Sequence, residues 1–143
     1  GFTEGLARAA AEVLRGASER DRLLAACGEE LVELAGRGGS IGVAFTYTEP
    51  LLWFEYLRDV APMLRAKGLK TVLVTNGFLN EEPAREIVPL IDAMNVDLKS
   101  MSDDFYKTVC GGRVEPVKRF IEIAAAAGST EAALERFKSI AIP

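Results

Sequence analysis

The chain has 143 residues, 49% of them hydrophobic and 27% charged, with a net charge of −4 at pH 7 and no histidine. This composition suits a globular domain with its own core, but the length falls short of a complete eight-stranded barrel of about 250 residues. The acidic balance leaves no electrostatic footprint for nucleic acid, no apolar run approaches the ~20 residues of a membrane helix, and no secretory signal is visible. The expectation is a cytoplasmic protein without nucleic-acid or membrane partners.

Residues 1–37 are rich in Ala, Leu, Glu and Arg. Leu6, Ala9, Ala10, Val13 and Leu14 follow helical spacing, and so do Leu23, Leu24, Cys27, Leu31 and Leu34. Gly16-Ala17-Ser18 separates the two helices, with Ser18 as a candidate N-cap, and Gly36, Gly38 and Gly39 close the second. A regular alternation follows. A strand over 41–46 leads to a helix over 50–67 closed by Gly68. A strand over 70–75 leads to a helix over 82–93 with Pro83 in its first turn. A strand over 94–98 leads to a short helix over 102–110, closed by Gly111-Gly112, and a helix over 114–127 ends at Gly128. Thr130 is a candidate cap for a further short helix before a strand over 139–142.

These strands are short and apolar, as expected when both faces are covered, and the repeated strand–helix order implies parallel crossovers. The fold class expected is α/β: a partial (β/α) barrel over 38–143, preceded by a helical segment over 1–37. The chain opens on Gly1 and closes on Ile140-Ala141-Ile142-Pro143, which reads as a strand cut short. A fragment is expected, a processed or engineered start being the alternative.

Candidate chemistry gathers where strands end, the edge at which parallel α/β sheets bind ligands. Thr46-Tyr47-Thr48-Glu49-Pro50 follows the first strand. The Glu49 carboxylate, stiffened by the following proline, is able to accept hydrogen bonds from a ligand ammonium; it is equally a first-turn glutamate favoured by the helix dipole. Thr75-Asn76-Gly77 ends the second strand, as a polar ligand-facing element or as a simple turn. Asp97 and Lys99, two apart, share one side of an extended strand and read as a ligand-binding pair or as a salt bridge capping the strand. Cys110 and Cys27 read as a reduced pair, a single disulfide being the alternative; Cys110 reads as structural, with a reactive thiol at a helix end as the alternative, and Cys27 as a core residue. Trp53, Phe54 and Tyr56 read as packing. The lack of histidine removes the commonest general base and zinc ligand.

Together, Ala44-Phe45-Thr46-Tyr47-Thr48-Glu49-Pro50, Val74-Thr75-Asn76-Gly77-Phe78, Asn95-Val96-Asp97-Leu98-Lys99-Ser100, Ser102-Asp103-Asp104-Phe105-Tyr106 and Val109-Cys110-Gly111-Gly112 resemble the radical S-adenosylmethionine (SAM) family. The resemblance runs from about Glu30 to Gly128. It is to members related to pyruvate formate-lyase activating enzyme, in particular the AmmeMemoRadiSam type. It implies a partial (β/α)₆ barrel in which Glu49 and the Thr46, Tyr47 and Thr48 backbone hold the SAM ammonium. Thr75 and Asn76 would border the SAM methionine or ribose. Asp97 and Lys99 would point into the active site, as cofactor-binding (Asp97) and catalytic (Asp97, Lys99) residues. Val74 stands where activating enzymes of this group often carry an acid.

The resemblance also implies reductive SAM cleavage at a [4Fe–4S] cluster, giving a 5′-deoxyadenosyl radical, with a protein as one possible substrate. The family holds that cluster with CxxxCxxC, which this sequence lacks. The chain alone is therefore expected to bind no cluster and to be inactive. Two other readings stand beside this one: a cluster-less barrel acting as a binding or interaction module, and a barrel lyase or isomerase with Lys99 as an amine nucleophile.

Overall fold

A computed structural model describes residues 19–128. The readings for residues 1–18, Thr130 and the strand over 139–142 lie outside the described residues. The elements run α1 (Glu19–Arg37), β1 (Gly42–Phe45), a 3₁₀ turn (Pro50–Trp53) continuing into α2 (Phe54–Ala66), β2 (Lys70–Thr75), α3 (Glu81–Ile87) with a 3₁₀ turn (Val88–Leu90), and β3 (Ala93–Val96). A short α4 (Asp103–Phe105) then runs into a π-helical turn (Tyr106–Cys110), and α5 (Val114–Ala126) closes the series. The three strands form one parallel sheet in the order β1-β2-β3.

Each long helix buries the stripe its periodicity dictates. On α2, Leu57, Val60, Ala61 and Leu64 are buried, an i, i+3, i+4, i+7 set. α5 turns Val117, Phe120 and Ala124 inward. With Leu73, Ile87, Val88, Met94 and Val96 they build the main core. A second core joins Val32 and Ala35 of α1 to Val60, Leu64 and Leu69.

α1 does not bury the face its leucines suggest. Leu23 and Leu34 are exposed, and so is Cys27; of the expected set Leu31 does pack, and Val32 and Ala35 are buried beside it. The reason is Gly28, where a Cβ would lie 2.7 Å from Val60 Cγ2. α1 therefore meets α2 on the face that carries Gly28, Leu31, Val32 and Ala35. Cys27 is thus not a core residue. Trp53, also expected to pack, is 64% exposed, whereas Phe54 and Tyr56 do pack against the two cores.

The expectation of a sheet covered on both faces is corrected. Along β3, Met94 and Val96 are buried while Ala93 and Asn95 are exposed. On β2, Thr71, Leu73 and Thr75 are buried, and Val72 and Val74 are half-buried. Among the described residues the helices pack on one face only. The register aligns Ala44 with Val72, Val72 with Ala93, and Val74 with Asn95, so these five residues share the other face. Helices on one side and an open face on the other is how a (β/α) barrel wall is built, the open face being the barrel interior.

Candidate functional site

The carboxyl ends of the three strands lie side by side, and one carboxylate ties two of them together. Glu49 Oε1 accepts from Leu51 N–H at 3.1 Å and from the Thr75 hydroxyl at 2.6 Å, and Oε2 accepts from Asn76 N–H at 2.8 Å. A carboxylate has about four acceptor positions; three are filled by the protein. Glu49 is extended (φ −142°, ψ 105°) and Pro50 follows as the first residue of the 3₁₀ turn, so the chain enters that turn with the carboxylate directed at β2. Glu49 is therefore both the cap of its own turn and a brace between β1 and β2.

Thr75 stands on the buried face, 3% exposed. Its hydroxyl donates to Glu49 and accepts from Gly77 N–H at 3.0 Å. Both of these bonds are to protein groups, one of them the Glu49 carboxylate. Asn76, of the opposite parity, faces the open side. Its Oδ1 accepts from Phe78 N–H at 2.8 Å, which leaves its amide N–H groups to point away from the loop. Gly77 has φ +68°, and a Cβ there would sit 2.7 Å from Val96 Cγ1; only glycine lets the chain turn this tightly over the end of β3.

β3 hands on to the site through the Asp97 N–H, which donates to the Thr75 carbonyl at 2.8 Å and continues the parallel ladder. The in–out alternation persists past the strand, so Asn95, Asp97 and Lys99 lie along one exposed line. Lys99 Nζ pairs with Asp97 Oδ2. That hydrogen bond is the largest cause holding the ammonium above its ordinary pKa, against the smaller opposing effect of burial. An amine nucleophile needs the opposite shift, which weighs against the lyase or isomerase reading.

Two clefts flank the brace. One, about 320 Å³, is lined by Phe45, Thr46, Tyr47, Trp53, Tyr56 and neighbours; Phe45 and Tyr56 meet edge to face at 6.3 Å. The other, about 230 Å³, is lined by Asn76, Phe78, Lys99, Tyr106, Cys110, Gly111, Gly112 and Val117. Thr46 and Tyr47 therefore open on one cleft and Asn76 and Lys99 on the other. Thr48 and Asp97 line neither, Thr48 being exposed beside Glu49. A larger trough of about 570 Å³ lies on the outer rim between the starts of α3 and α5. Its Glu81, Arg119 and Glu122 are paired with one another, so it is a salt-bridged surface rather than a site.

Two residues of the second cleft escape sequence reading. Cys110 is not structural: it is exposed at the end of the π-helical turn and opens on the cleft. Tyr106 is 4% exposed, and its hydroxyl accepts from Lys99 N–H at 3.1 Å. Nothing in the sequence signals that a phenol seven positions downstream folds back on Lys99. The nearest hint is Gly111-Gly112. Gly111 (φ +69°) reverses the chain, and its N–H and that of Gly112 both return to the Tyr106 carbonyl.

Comparison with known proteins places this geometry. The family model described as the Radical SAM superfamily matches residues 14–137. An uncharacterised protein of Methanocaldococcus jannaschii is 40% identical over 96 residues, 67% of this chain and 28% of that protein. A probable GTP 3′,8-cyclase of Methanococcus aeolicus is 33% identical over 103 residues, 69% of this chain and 34% of its own length. The pyruvate formate-lyase 1-activating enzyme of Escherichia coli is 32% identical over 72 residues, 49% of this chain and 29% of that enzyme. The chain thus spans about a third or less of the curated relatives it matches. The parallel β/α wall with its polar strand ends is the wall of a radical SAM barrel, and the chain belongs to the radical SAM superfamily.

Proposed function

We propose that this chain forms the SAM-binding rim of a radical SAM enzyme of the activating-enzyme type. The observation that carries the reading is the Glu49 brace. It ties the segment after β1 to Thr75 and Asn76 at the end of β2, beside the Asp97–Lys99 pair that follows β3. In this reading the remaining acceptor position of Glu49 and the carbonyls of Thr46, Tyr47 and Thr48 receive the SAM ammonium. Thr75 positions Glu49, Asn76 borders the methionine or ribose, and Asp97 and Lys99 face the reacting end. The relationship to pyruvate formate-lyase 1-activating enzyme supports the activating type, with a protein substrate.

SAM fits these donors and acceptors; the [4Fe–4S] cluster does not. Cluster ligation needs thiolates at close spacing. Cys27 lies on α1 and Cys110 on the π-helical turn beyond β3, each without a neighbouring cysteine. Among the described residues no group of three or more His, Cys, Asp or Glu side chains could hold a metal ion. We infer that these 143 residues bind SAM without cleaving it reductively; the cluster ligands must come from elsewhere. Calorimetric titration with SAM is expected to show one site that weakens by at least tenfold in Glu49→Ala. Anaerobic iron–sulfur reconstitution is expected to give no [4Fe–4S] signal. A silent SAM titration of the folded chain refutes the binding reading and favours the interaction module, and a stable cluster refutes the second inference.

A further inference from the structure

One flank of α1 has no cover among the described residues. Leu23, Cys27 and Leu34 stand at i, i+4 and i+11, a single row along the helix beside the row that packs on α2. Leu23 is 62% and Leu34 59% exposed, and Cys27 is exposed between them. Cys27 also lines the cleft of about 320 Å³ with Phe45, Tyr47, Trp53 and Tyr56. The row therefore runs into an aromatic cleft whose lining carries no charged side chain. Trp53 and Tyr47 remain 64% and 92% exposed there. A continuous apolar surface of this kind marks an interaction site.

The stretch leading into α1 has the pattern to fill it. Residues 1–15 hold four charged side chains, Glu4, Arg8, Glu12 and Arg15, spaced four, four and three apart. At about 100° per residue they share one face of a helix. Phe2, Leu6, Ala9, Ala10, Val13 and Leu14 fall on the opposite face. Gly16-Ala17-Ser18 is then the whole connection to Glu19, and so short a connection makes consecutive helices antiparallel neighbours. Residues 3–15 as a helix span ~20 Å, against ~16 Å from Leu23 to Leu34. Folding back from Ser18 brings Leu6 level with Cys27 and Phe2 level with Leu31. A second copy fits this row less well. Glu30 stands at its middle, so two copies packed row on row would set like charges together, whereas the acids of residues 1–15 lie on the far face.

We propose that residues 2–15 form a helix packed antiparallel on this flank of α1, with Leu6 closing the mouth of the aromatic cleft. The proposal does not depend on the reading of the strand-end rim as a SAM site.

The test is alkylation of the full chain with iodoacetamide, read at each cysteine by peptide mass spectrometry. The chain's single tryptophan, Trp53, gives a second readout by fluorescence. Cys27 is expected to react at least ~10-fold more slowly than in the urea-unfolded chain, because a docked helix uncovers it only by local opening. Cys110, exposed on another element, is expected to react near its unfolded rate. Leu6→Asp should restore rapid alkylation of Cys27 and shift Trp53 emission to the red, and Arg8→Asp, on the polar face, should do neither. In a Cys110→Ser background, Leu6→Cys should join Cys27 in a disulfide within one chain on oxidation by oxidised glutathione, and Arg8→Cys should not. Cys27 that reacts at its unfolded rate in the native chain overturns the proposal, as does an equal response to Leu6→Asp and Arg8→Asp. Protection lost on dilution, or a disulfide formed only between two chains, gives the flank to a second copy and overturns it too. Where Leu6→Asp folds poorly, the wild-type alkylation rate and the intramolecular disulfide decide.

Discussion

Removing the Glu49 carboxylate should cost more than any other single polar change in the described fold. In Glu49→Ala three donors lose their acceptor: Leu51 N–H, the Thr75 hydroxyl and Asn76 N–H. Hydrogen bonds to a charged group contribute about 1.5–3 kcal/mol each, which bounds the loss near 4–9 kcal/mol. Glu49 is half-buried and the three bonds share one side chain, so water replaces part of the loss and the contributions do not add. The lower half of that range, about 4–6 kcal/mol, is expected. Glu49→Gln separates the terms. Its amide oxygen can keep the two bonds made by Oε1, but its N–H₂ then faces Asn76 N–H, donor against donor. That leaves one unpaired amide and a cost of about 1–3 kcal/mol. Urea unfolding measures both losses, and hydrogen exchange at Asn76 locates them, since that amide should exchange faster in both variants. If Glu49→Gln unfolds within 0.5 kcal/mol of wild type (roughly the scatter of neutral surface changes) with Asn76 exchange unchanged, the brace does not hold the two strands together.

Three further outcomes follow from the same structure. Gly68 and Gly77 have φ of +72° and +68°, but a Cβ at Gly68 meets nothing within 4 Å whereas one at Gly77 meets Val96 at 2.7 Å and Phe120 at 3.3 Å. Gly68→Ala should therefore cost about 1–2 kcal/mol and Gly77→Ala about 2–5 kcal/mol by denaturant unfolding; equal costs would show that the loop yields freely. Thr71 is fully buried and among the described residues its hydroxyl has no partner, so Thr71→Val should stabilise by about 1 kcal/mol, and a loss of stability would reveal a bonded hydroxyl. Glu81 is held down to about 2, first by its hydrogen bond with Arg119 and then by Arg85. Because its folded pKa lies below its unfolded value, its contribution is present above about 4.5 and is lost as pH falls from there toward 2. A carboxyl NMR titration should place the Glu81 midpoint near 2, and an ordinary midpoint above 4 would mean that the ion network does not persist in solution.

Element order was legible in the sequence because local signals agree with the fold. Apolar runs mark the strands, and glycines at 39, 68, 111 and 128 sit at positive φ just past the helices they end. What was not legible depends on contacts between elements. The buried face of α1 is set by Gly28 against Val60, a contact across 32 positions that no periodicity within the helix encodes. The one-sided cover of the sheet was hidden because Ala44, Val72, Val74 and Ala93 are apolar although they face the open side. Apolar composition alone cannot separate a covered strand face from the inner face of an incomplete barrel wall. Asn95 breaks that pattern, a residue with poor strand propensity at an in-register position opposite Val74. In the site, Glu49, Thr75, Asn76, Asp97 and Lys99 were readable as strand-end polar groups, but which of them hold each other was not.

That division decides how the rim works. A polar residue at a strand end acts on a ligand directly or fixes one that does, and its hydrogen bonds distinguish the two. Glu49 and Thr75 are largely occupied by protein groups, so their removal should disturb every ligand of the rim together with stability. Asn76 and Lys99 each use only part of their capacity within the protein, and their removal should change ligand affinity with a small cost in folding. Tyr106 stands between the classes: its hydroxyl accepts from Lys99 N–H, and among the described residues no acceptor faces its proton. The rim is thus an inner layer of bonded groups supporting an outer layer of open ones.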